Sequence, residues 1–172
     1  TQELEARFRE LFGSHTRAFP VFNGTAANVM SAAGIIEPHQ AVICAGTSHI
    51  HFDECGAIER FAGCRVLVLG VPHGKIEPAS LTQVADGHGM PHQSQPRVLS
   101  ITQASELGTV YTPDEVRRLA EAVHDRGWLL HMDGARLANA AAALDVPLRA
   151  VTSDVGVDML SFGGTKCGLL AG

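Results

Sequence analysis

The sequence is poor in several features that mark particular classes of protein. Lysine and arginine number 13 in 172 residues, against 18 for aspartate and glutamate, and the formal charge is −5 at neutral pH. No block of basic residues occurs, which argues against a nucleic-acid-binding protein. The longest apolar stretches, such as 65–71 and 140–144, fall far short of the roughly 18 residues that a membrane-spanning helix needs. We therefore expect neither a nucleic-acid partner nor a membrane partner.

Cysteine is scarce, and its placement indicates neither a zinc knuckle nor a redox pair. The chain has four cysteines, and none belongs to a C-x-x-C pair. Reduced thiols in a cytoplasmic protein are the simplest interpretation. The first nine residues are charged and lack the apolar core of a signal peptide, which fits the same compartment.

The sequence alternates between short apolar runs and stretches with helical spacing. Strands are predicted at 18–22, 41–45, 65–71, 97–102, 128–132 and 157–161. Helices are predicted at 3–11, 26–36, 52–62, 78–85, 113–126 and 135–144. Strands separated by helices indicate βαβ crossovers, so we expect an α/β fold with a mostly parallel sheet and helices on both faces. A chain of this length suits one domain.

Two polar segments follow predicted strands, which is where ligands bind in an open parallel sheet. Gly24 and Thr25 stand at the start of a helix, where free amides can bind a phosphate, although a threonine there is more commonly a helix cap. Asp133 follows an apolar strand and would need a cation to stay ionised, such as a protonated pyridine nitrogen. The alternative is that Asp133 caps the next helix while Arg136 makes a surface ion pair. The residues alone leave both interpretations open.

Two further segments carry a lysine and histidines at strand ends. Lys166 stands among small residues, which suits a lysine that forms a Schiff base in a tight, partly desolvated site, and the alternative is an exposed loop lysine. His49 or His51 could stack on an aromatic cofactor or act as a base. A rival interpretation is a metal site that uses His88 and His92 with one of these histidines or a cysteine. No recognised ligand spacing supports that rival.

Five motifs occur in an order that resembles a known family. They are Asn-Gly-Thr before a helix, Ser-His-Ile, Asp-Glu-Cys-Gly-Ala, His-Met-Asp-Gly-Ala-Arg-Leu-Ala-Asn-Ala and Ser-Phe-Gly-Gly-Thr-Lys. Together they are similar to the threonine aldolase and β-eliminating lyase family of pyridoxal-phosphate enzymes, and the likeness spans nearly the whole chain. The resemblance implies that residues 1–172 are a large, cofactor-binding domain of fold type I and that the cofactor is pyridoxal 5'-phosphate.

The resemblance assigns roles to five residues. It implies that Lys166 binds the cofactor covalently as a Schiff base, and that Asp133 pairs with the pyridine nitrogen. It implies that Gly24 and Thr25 hold the phosphate. His49 is expected to stack on the ring and is the candidate base, so the expected catalytic residues are Lys166, His49 and Asp133.

Three further residues receive less definite roles from the resemblance. Arg136 matches an arginine near the phenolic oxygen of the ring, and Glu54 matches an acidic residue close to the site. Many family members have a histidine within Glu-Asn-Thr-His, where this chain has Thr-Gln-Ala-Ser-Glu at 102–106. Ser105 is the best positional counterpart of that histidine, as a supporting residue, and the preference between threonine and allo-threonine stays open.

The implied activity is that of a carbon–carbon lyase, which cleaves a β-hydroxy amino acid such as L-threonine to glycine and an aldehyde. β-Elimination on another amino acid is the alternative within the enzyme class. A metal-binding module or a non-catalytic interaction module is the alternative outside it. The resemblance further implies a homodimer or homotetramer acting on a small amino acid. Because the family has a segment before this region and a small domain after it, we expect a fragment that is inactive alone.

Overall fold

A computed structural model describes residues 2–85 and 89–170. In these ranges, five parallel strands form one sheet in the order β2-β1-β3-β4-β5, and no helix is long and apolar enough to cross a membrane. The strands are β1 (Gln40–Ala45), β2 (Arg65–Leu69), β3 (Gln95–Thr102), β4 (Leu129–Gly134) and β5 (Met159–Phe162). The α-helices are α1 (Gln2–Phe12), α2 (Gly24–Ala33), α3 (His49–Phe52), α4 (Ala57–Ala62), α5 (Thr82–Ala85), α6 (Pro113–His124) and α7 (Leu137–Leu144). The predicted α/β fold with a parallel sheet is confirmed.

Helices cover both faces of this sheet, as predicted. Successive side chains of a strand point to opposite faces. Ile43 of β1 therefore packs in a core with residues of α1, α6 and α7. Its neighbours Val42 and Cys44 pack on the other face with residues of α2, α3 and α4. Residues 41–45 are all buried, which is typical of a parallel strand covered on both sides.

Helix α6 begins where the sequence predicts it because its first turn carries its own stabilising contacts. The Oγ1 atom of Thr112 accepts a hydrogen bond from the Glu115 amide at 3.3 Å, and the Glu115 carboxylate accepts one from the Thr112 amide at 2.7 Å. This reciprocal capping box satisfies two backbone amides at the helix start. Val116, Leu119 and Val123 recur at helical spacing and form the buried face of α6.

The strand predicted at 18–22 is wrong. This segment has no strand partner within the described residues. It contains Pro20, which lacks an amide hydrogen, and it exposes 81% of Phe19 and 85% of Phe22. It borders a groove instead of joining the sheet. Apolar composition alone does not separate a paired strand from an exposed apolar segment, which explains the error.

The helix predicted at 52–62 is interrupted. Helix α3 ends at Phe52 and α4 begins at Ala57. Between them, Cys55 and Gly56 have φ angles of 52° and 71°, in the left-handed region that breaks a right-handed helix. The turn directs Glu54 inward, and only 5% of this residue is exposed. The break therefore places an acidic side chain in the interior.

Candidate active site

One groove of about 1560 Å³ runs between the carboxyl ends of β4 and β5 and the start of α2. This is where an open parallel sheet binds ligands. The groove brings together seven of the eight predicted site residues, namely Gly24, Thr25, His49, Glu54, Asp133, Arg136 and Lys166. They come from segments far apart in the sequence, so their meeting is a product of the fold.

Asp133 lies near the end of β4, on the sheet face that α2 covers. It is 6% exposed. Its Oδ1 atom accepts a hydrogen bond from the Ala135 amide at 3.0 Å, and its Oδ2 atom accepts one from Asn28 Nδ2 at 3.2 Å. The bond to Ala135 resembles a cap, but α7 begins only at Leu137. The carboxylate therefore does more than begin a helix, because its second oxygen is held within the site.

Glu54 and His49 form a second contact near Asp133, in which Glu54 is buried and His49 is half-buried. The Oε1 atom of Glu54 lies 2.8 Å from Nδ1 of His49 and accepts a hydrogen bond from Asn28 Nδ2 at 2.9 Å. The backbone amide of His49 donates a hydrogen bond to Oε1 of Glu106 at 2.8 Å. The same Glu106 oxygen accepts a hydrogen bond from the Thr102 hydroxyl at 3.0 Å. His49 is thus held at both its ring and its backbone, and 31% of its side chain remains exposed.

His131 lies two residues before Asp133 on the same face of β4. Its Nδ1 atom is 2.9 Å from the Ser100 hydroxyl, and its Nε2 atom is 3.0 Å from the Ser161 hydroxyl. Burial lowers the pKa of His131 to about 4, although the negative charge of Asp133 opposes part of this change. His131 is therefore neutral near pH 7 and does not supply a positive charge to balance Asp133.

The interior of the site consequently contains two carboxyl groups, and the neutral His131 does not balance their charge. Asp133 and Glu54 are both buried and share the amide nitrogen of Asn28. Oε2 of Glu54 is also buried and has no hydrogen-bond partner among the residues that the structure describes. Buried carboxylates are stable when a cation and hydrogen bonds offset their charge. The arrangement suits a ligand that carries a protonated ring nitrogen.

The start of α2 has free backbone amides that are able to bind an anion. Asn23 caps the helix through a 2.8 Å bond from the Ala26 amide, so the cap is Asn23 and not Thr25. The amides of Gly24 and Thr25 have no partner within the described ranges, and they lie at the positive end of the helix dipole. A Cβ atom on Gly24 would meet nothing within 4 Å, so the space beside it is open to a ligand.

Lys166 and Arg136 also line the groove. Lys166 belongs to a short 3-10 turn, Thr165–Cys167, and is exposed, so the tight, partly desolvated setting expected for it is not found in the described residues. Asn139 Nδ2 donates a 3.2 Å hydrogen bond to the Lys166 carbonyl. Arg136 is half-buried and lies directly before α7. The groove is therefore lined by a helix start, a lysine, an arginine and two buried carboxyl groups.

Ser105 lies outside the residues that line the groove. It is 1% exposed, and its hydroxyl is 2.6 Å from the Thr109 hydroxyl. It also accepts hydrogen bonds from the amides of Leu107 and Thr109, which stabilises the loop after β3. The neighbouring Glu106 is the residue of this segment that contacts His49.

Three residues of the site, Asn28, Glu106 and His131, were not predicted from the sequence. Asn28 had a signal, since it is a polar residue within the otherwise apolar pattern at 26–36. His131 also had one, because side chains two apart on a strand share a face and Asp133 was already a candidate. Glu106 had no local signal, since its contact depends on how the loop after β3 meets α3.

Potential metal ligands do not converge within residues 2–85 and 89–170. No group of three or more His, Cys, Asp or Glu side chains there could hold a metal ion. His92 is exposed, and His88 lies outside the described residues. The described geometry offers no support for the rival metal site.

Comparisons with known proteins agree with this arrangement. The family model described as Beta-eliminating lyase matches residues 1–171. The low specificity L-threonine aldolase of Pseudomonas aeruginosa is 43% identical over 96% of this chain and 48% of its own length. That of a Pseudomonas sp. strain is 43% identical over all of this chain and 50% of its own length. The chain thus spans about half the length of the curated relatives it matches.

Solved structures confirm the predicted fold type I. The Leishmania major threonine aldolase has a TM-score of 0.79 and 31% identity over 85% of this chain and 42% of its own. A Thermus thermophilus aspartate aminotransferase has a TM-score of 0.60 and 18% identity over 76% of this chain and 33% of its own, which supports the fold alone. The family model covers nearly every residue. The chain belongs to the Beta-eliminating lyase family.

Proposed function

We propose that this chain binds pyridoxal 5'-phosphate as part of a lyase that cleaves β-hydroxy amino acids, such as L-threonine, to glycine and an aldehyde. The observation that carries the proposal is the pair of buried carboxylates, Asp133 and Glu54. The nearby buried histidine, His131, is neutral near pH 7 and does not balance their charge. A protonated pyridine ring supplies the missing positive charge. The names of the two Pseudomonas relatives support the choice of reaction.

The groove residues fit the parts of this cofactor. The Gly24 and Thr25 amides suit its phosphate, because they point from a helix start and have no other partner in the described part of the chain. Asp133 Oδ2 suits the protonated ring nitrogen, Lys166 the aldehyde carbon and Arg136 the phenolic oxygen. When bound, the cofactor supplies an aromatic ring that accepts electron density from the amino-acid substrate.

The side chains of the groove supply the proton chemistry. Because an ionised Glu54 carboxylate can only accept hydrogen bonds, the contact with His49 favours a proton on Nδ1, and in the neutral imidazole the lone pair is then on Nε2. Nε2 is then able to accept the proton of the substrate β-hydroxyl group, directly or through a water molecule. Asp133 holds a proton on the ring nitrogen through charge attraction. Glu54 and Asp133 therefore have different tasks, since one orients the base and the other faces the ring.

A spectroscopic titration tests the cofactor. The chain and its Lys166→Ala variant are mixed with pyridoxal phosphate, and the visible spectrum is recorded before and after borohydride. We expect wild type to show a visible Schiff-base band that borohydride abolishes, leaving the cofactor attached to the peptide containing Lys166. We expect the variant to lack both the band and the attached cofactor. Identical behaviour of the two proteins would contradict the role of Lys166.

Product analysis tests the reaction. Because residues 1–172 are expected to be inactive alone, a chain that contains them and has the full length of the relatives is supplied with L-threonine. Acetaldehyde is measured beside pyruvate and ammonia, with the Pseudomonas aeruginosa relative as positive control. Acetaldehyde with glycine supports the proposed cleavage. The name of the matching family favours β-elimination as the second candidate, and keto acid with ammonia would support it instead.

We also propose that the working protein is a homodimer or homotetramer in the cytoplasm. The support is the family resemblance, together with Phe19, which lines the groove and is 81% exposed, and Phe22, which is 85% exposed. Large exposed apolar side chains at a site commonly mark a contact surface. Sedimentation of the chain at several concentrations measures its assembly.

A further inference from the structure

Asn28 is a polar residue on the buried face of α2. It is 2% exposed, and its neighbours Val29 and Ala32 pack in the apolar core. Its Nδ2 atom donates to Glu54 Oε1 at 2.9 Å and to Asp133 Oδ2 at 3.2 Å. An amide nitrogen has two hydrogens, so each carboxylate receives one. A single side chain thus joins the two acidic residues of the groove.

We propose that Asn28 is a positioning residue that keeps the proton of His49 on Nδ1, so that Nε2 faces the groove as a proton acceptor. The inference rests on the proposed function, because only a proton-transfer role for His49 makes its tautomer matter. Asn28 acts through Glu54, which it contacts directly, and it does not touch His49.

The contacts of Glu54 explain why Asn28 controls this tautomer. Oε2 of Glu54 has no partner among the described residues, so the carboxylate is held only through Oε1, by Asn28 and by His49. If Asn28 is removed, His49 alone holds Glu54, and the carboxylate can turn away from Nδ1. A neutral histidine that is released in this way returns to the mixture of tautomers seen in water, where Nε2–H is favoured.

Asn28 also separates two groups of like charge. The nearest oxygens of Glu54 and Asp133 both contact Nδ2, so their separation cannot exceed the sum of the two hydrogen-bond lengths. The two amide hydrogens of Asn28 each point to one carboxylate, and their partial positive charge reduces the repulsion between the carboxylates. Loss of these hydrogens leaves like charges close together in a buried site, which further favours a turn of Glu54.

The experiment measures the His49 tautomer in the cofactor-free chain. Ring nitrogen chemical shifts of ¹⁵N-histidine-labelled protein distinguish Nδ1–H from Nε2–H, and the His49 signals are assigned by their absence in His49→Gln. In wild type we expect mainly Nδ1–H. In Asn28→Leu we expect the ratio of Nδ1–H to Nε2–H to fall about tenfold, since a hydrogen bond to a charged group is lost.

Two further variants keep the test decisive. Asn28→Ala removes the donor without adding bulk or charge, so it should lower the ratio as far if Asn28→Leu does not fold. Asn23→Ser alters the cap of the same helix without touching Glu54, and its His49 tautomer should match wild type. An unchanged tautomer in folded Asn28 variants would overturn the inference, because a purely structural role predicts only a loss of stability.

The same samples separate this inference from the proposed function. Pyridoxal phosphate is titrated into wild type and Asn28→Leu, and binding is read from the visible spectrum. If wild type binds and the tautomer is independent of Asn28, the inference fails and the function stands. If the tautomer depends on Asn28 but wild type binds no cofactor, the positioning contact is supported and the function fails.

Discussion

The buried histidine of β4 makes the stability of this protein depend on pH in a defined window. His131 has both ring nitrogens within hydrogen-bond distance of serine hydroxyls, and burial lowers its pKa from 6.5 to about 4. Between these values the unfolded chain binds a proton that the folded chain does not bind. The free energy of unfolding therefore falls as the pH falls from 6.5 towards 4.

The size of this effect follows from the two pKa values. Each pKa unit corresponds to about 1.4 kcal/mol. At pH 4.5, which lies between the two values, His131 accounts for a loss of about 2 to 3 kcal/mol relative to pH 7. Carboxylates of the chain also affect stability at this pH, so the contribution of His131 has to be measured as a difference between proteins.

Urea unfolding at pH 7 and pH 4.5 provides that difference. We expect His131→Gln to be less stable than wild type at pH 7, because the hydrogen bonds to Ser100 and Ser161 are weakened. We expect it to lose about 2 to 3 kcal/mol less than wild type between the two pH values. Ile101→Val, a core change in the adjacent strand that costs about 0.5 to 1.5 kcal/mol, should keep the wild-type pH dependence. Equal losses in wild type and His131→Gln would refute the claim that His131 is buried in its neutral form.

Three further predictions concern single positions. Thr112→Ala removes the capping box of α6 and should lower the free energy of unfolding by about 1 kcal/mol, measured in urea; a loss below about 0.3 kcal/mol would contradict the importance of the cap. Gly134→Ala places a methyl group 2.8 Å from Leu160 Cδ1 and 3.0 Å from the Ser161 carbonyl oxygen, and the overpacking should cost about 1 to 3 kcal/mol. Gly24→Ala meets no protein atom within 4 Å, so thermal unfolding should occur no earlier than in wild type. The same change should weaken pyridoxal phosphate binding about tenfold, because it blocks close approach of the phosphate to the backbone. Unchanged binding would show that the phosphate does not bind at Gly24.

Much of the fold could be predicted because its signals are local. The run at 41–45 is apolar throughout, as befits a strand covered on both faces, and β1 lies there. The Thr-Pro-Asp-Glu segment at 112–115 contains a cap, a proline suited to the first turn and acidic residues near the positive helix end. Each of these signals acts over a few residues, so the rest of the chain was not needed to interpret them.

The failures arose where the outcome depends on distant parts of the chain. Residues 18–22 are apolar enough for a strand, but a strand forms only where another strand is free to pair with it. Asn28 contacts Asp133, 105 residues further along the chain, and no spacing in the sequence gives that distance. The motifs thus indicated which residues take part in the site, while the hydrogen bonds that orient them required the folded structure.

The long separation between Asn28 and Asp133 also has a consequence for the order of folding. Contacts between residues far apart in the sequence form late, because closing a long loop costs conformational entropy. Asn28 can therefore bond to both Glu54 and Asp133 only after α2 has packed on a sheet that already contains β4. A ligand that requires both carboxylates recognises the completed fold and not its earlier forms, so its binding draws partly folded chains towards the native state by mass action.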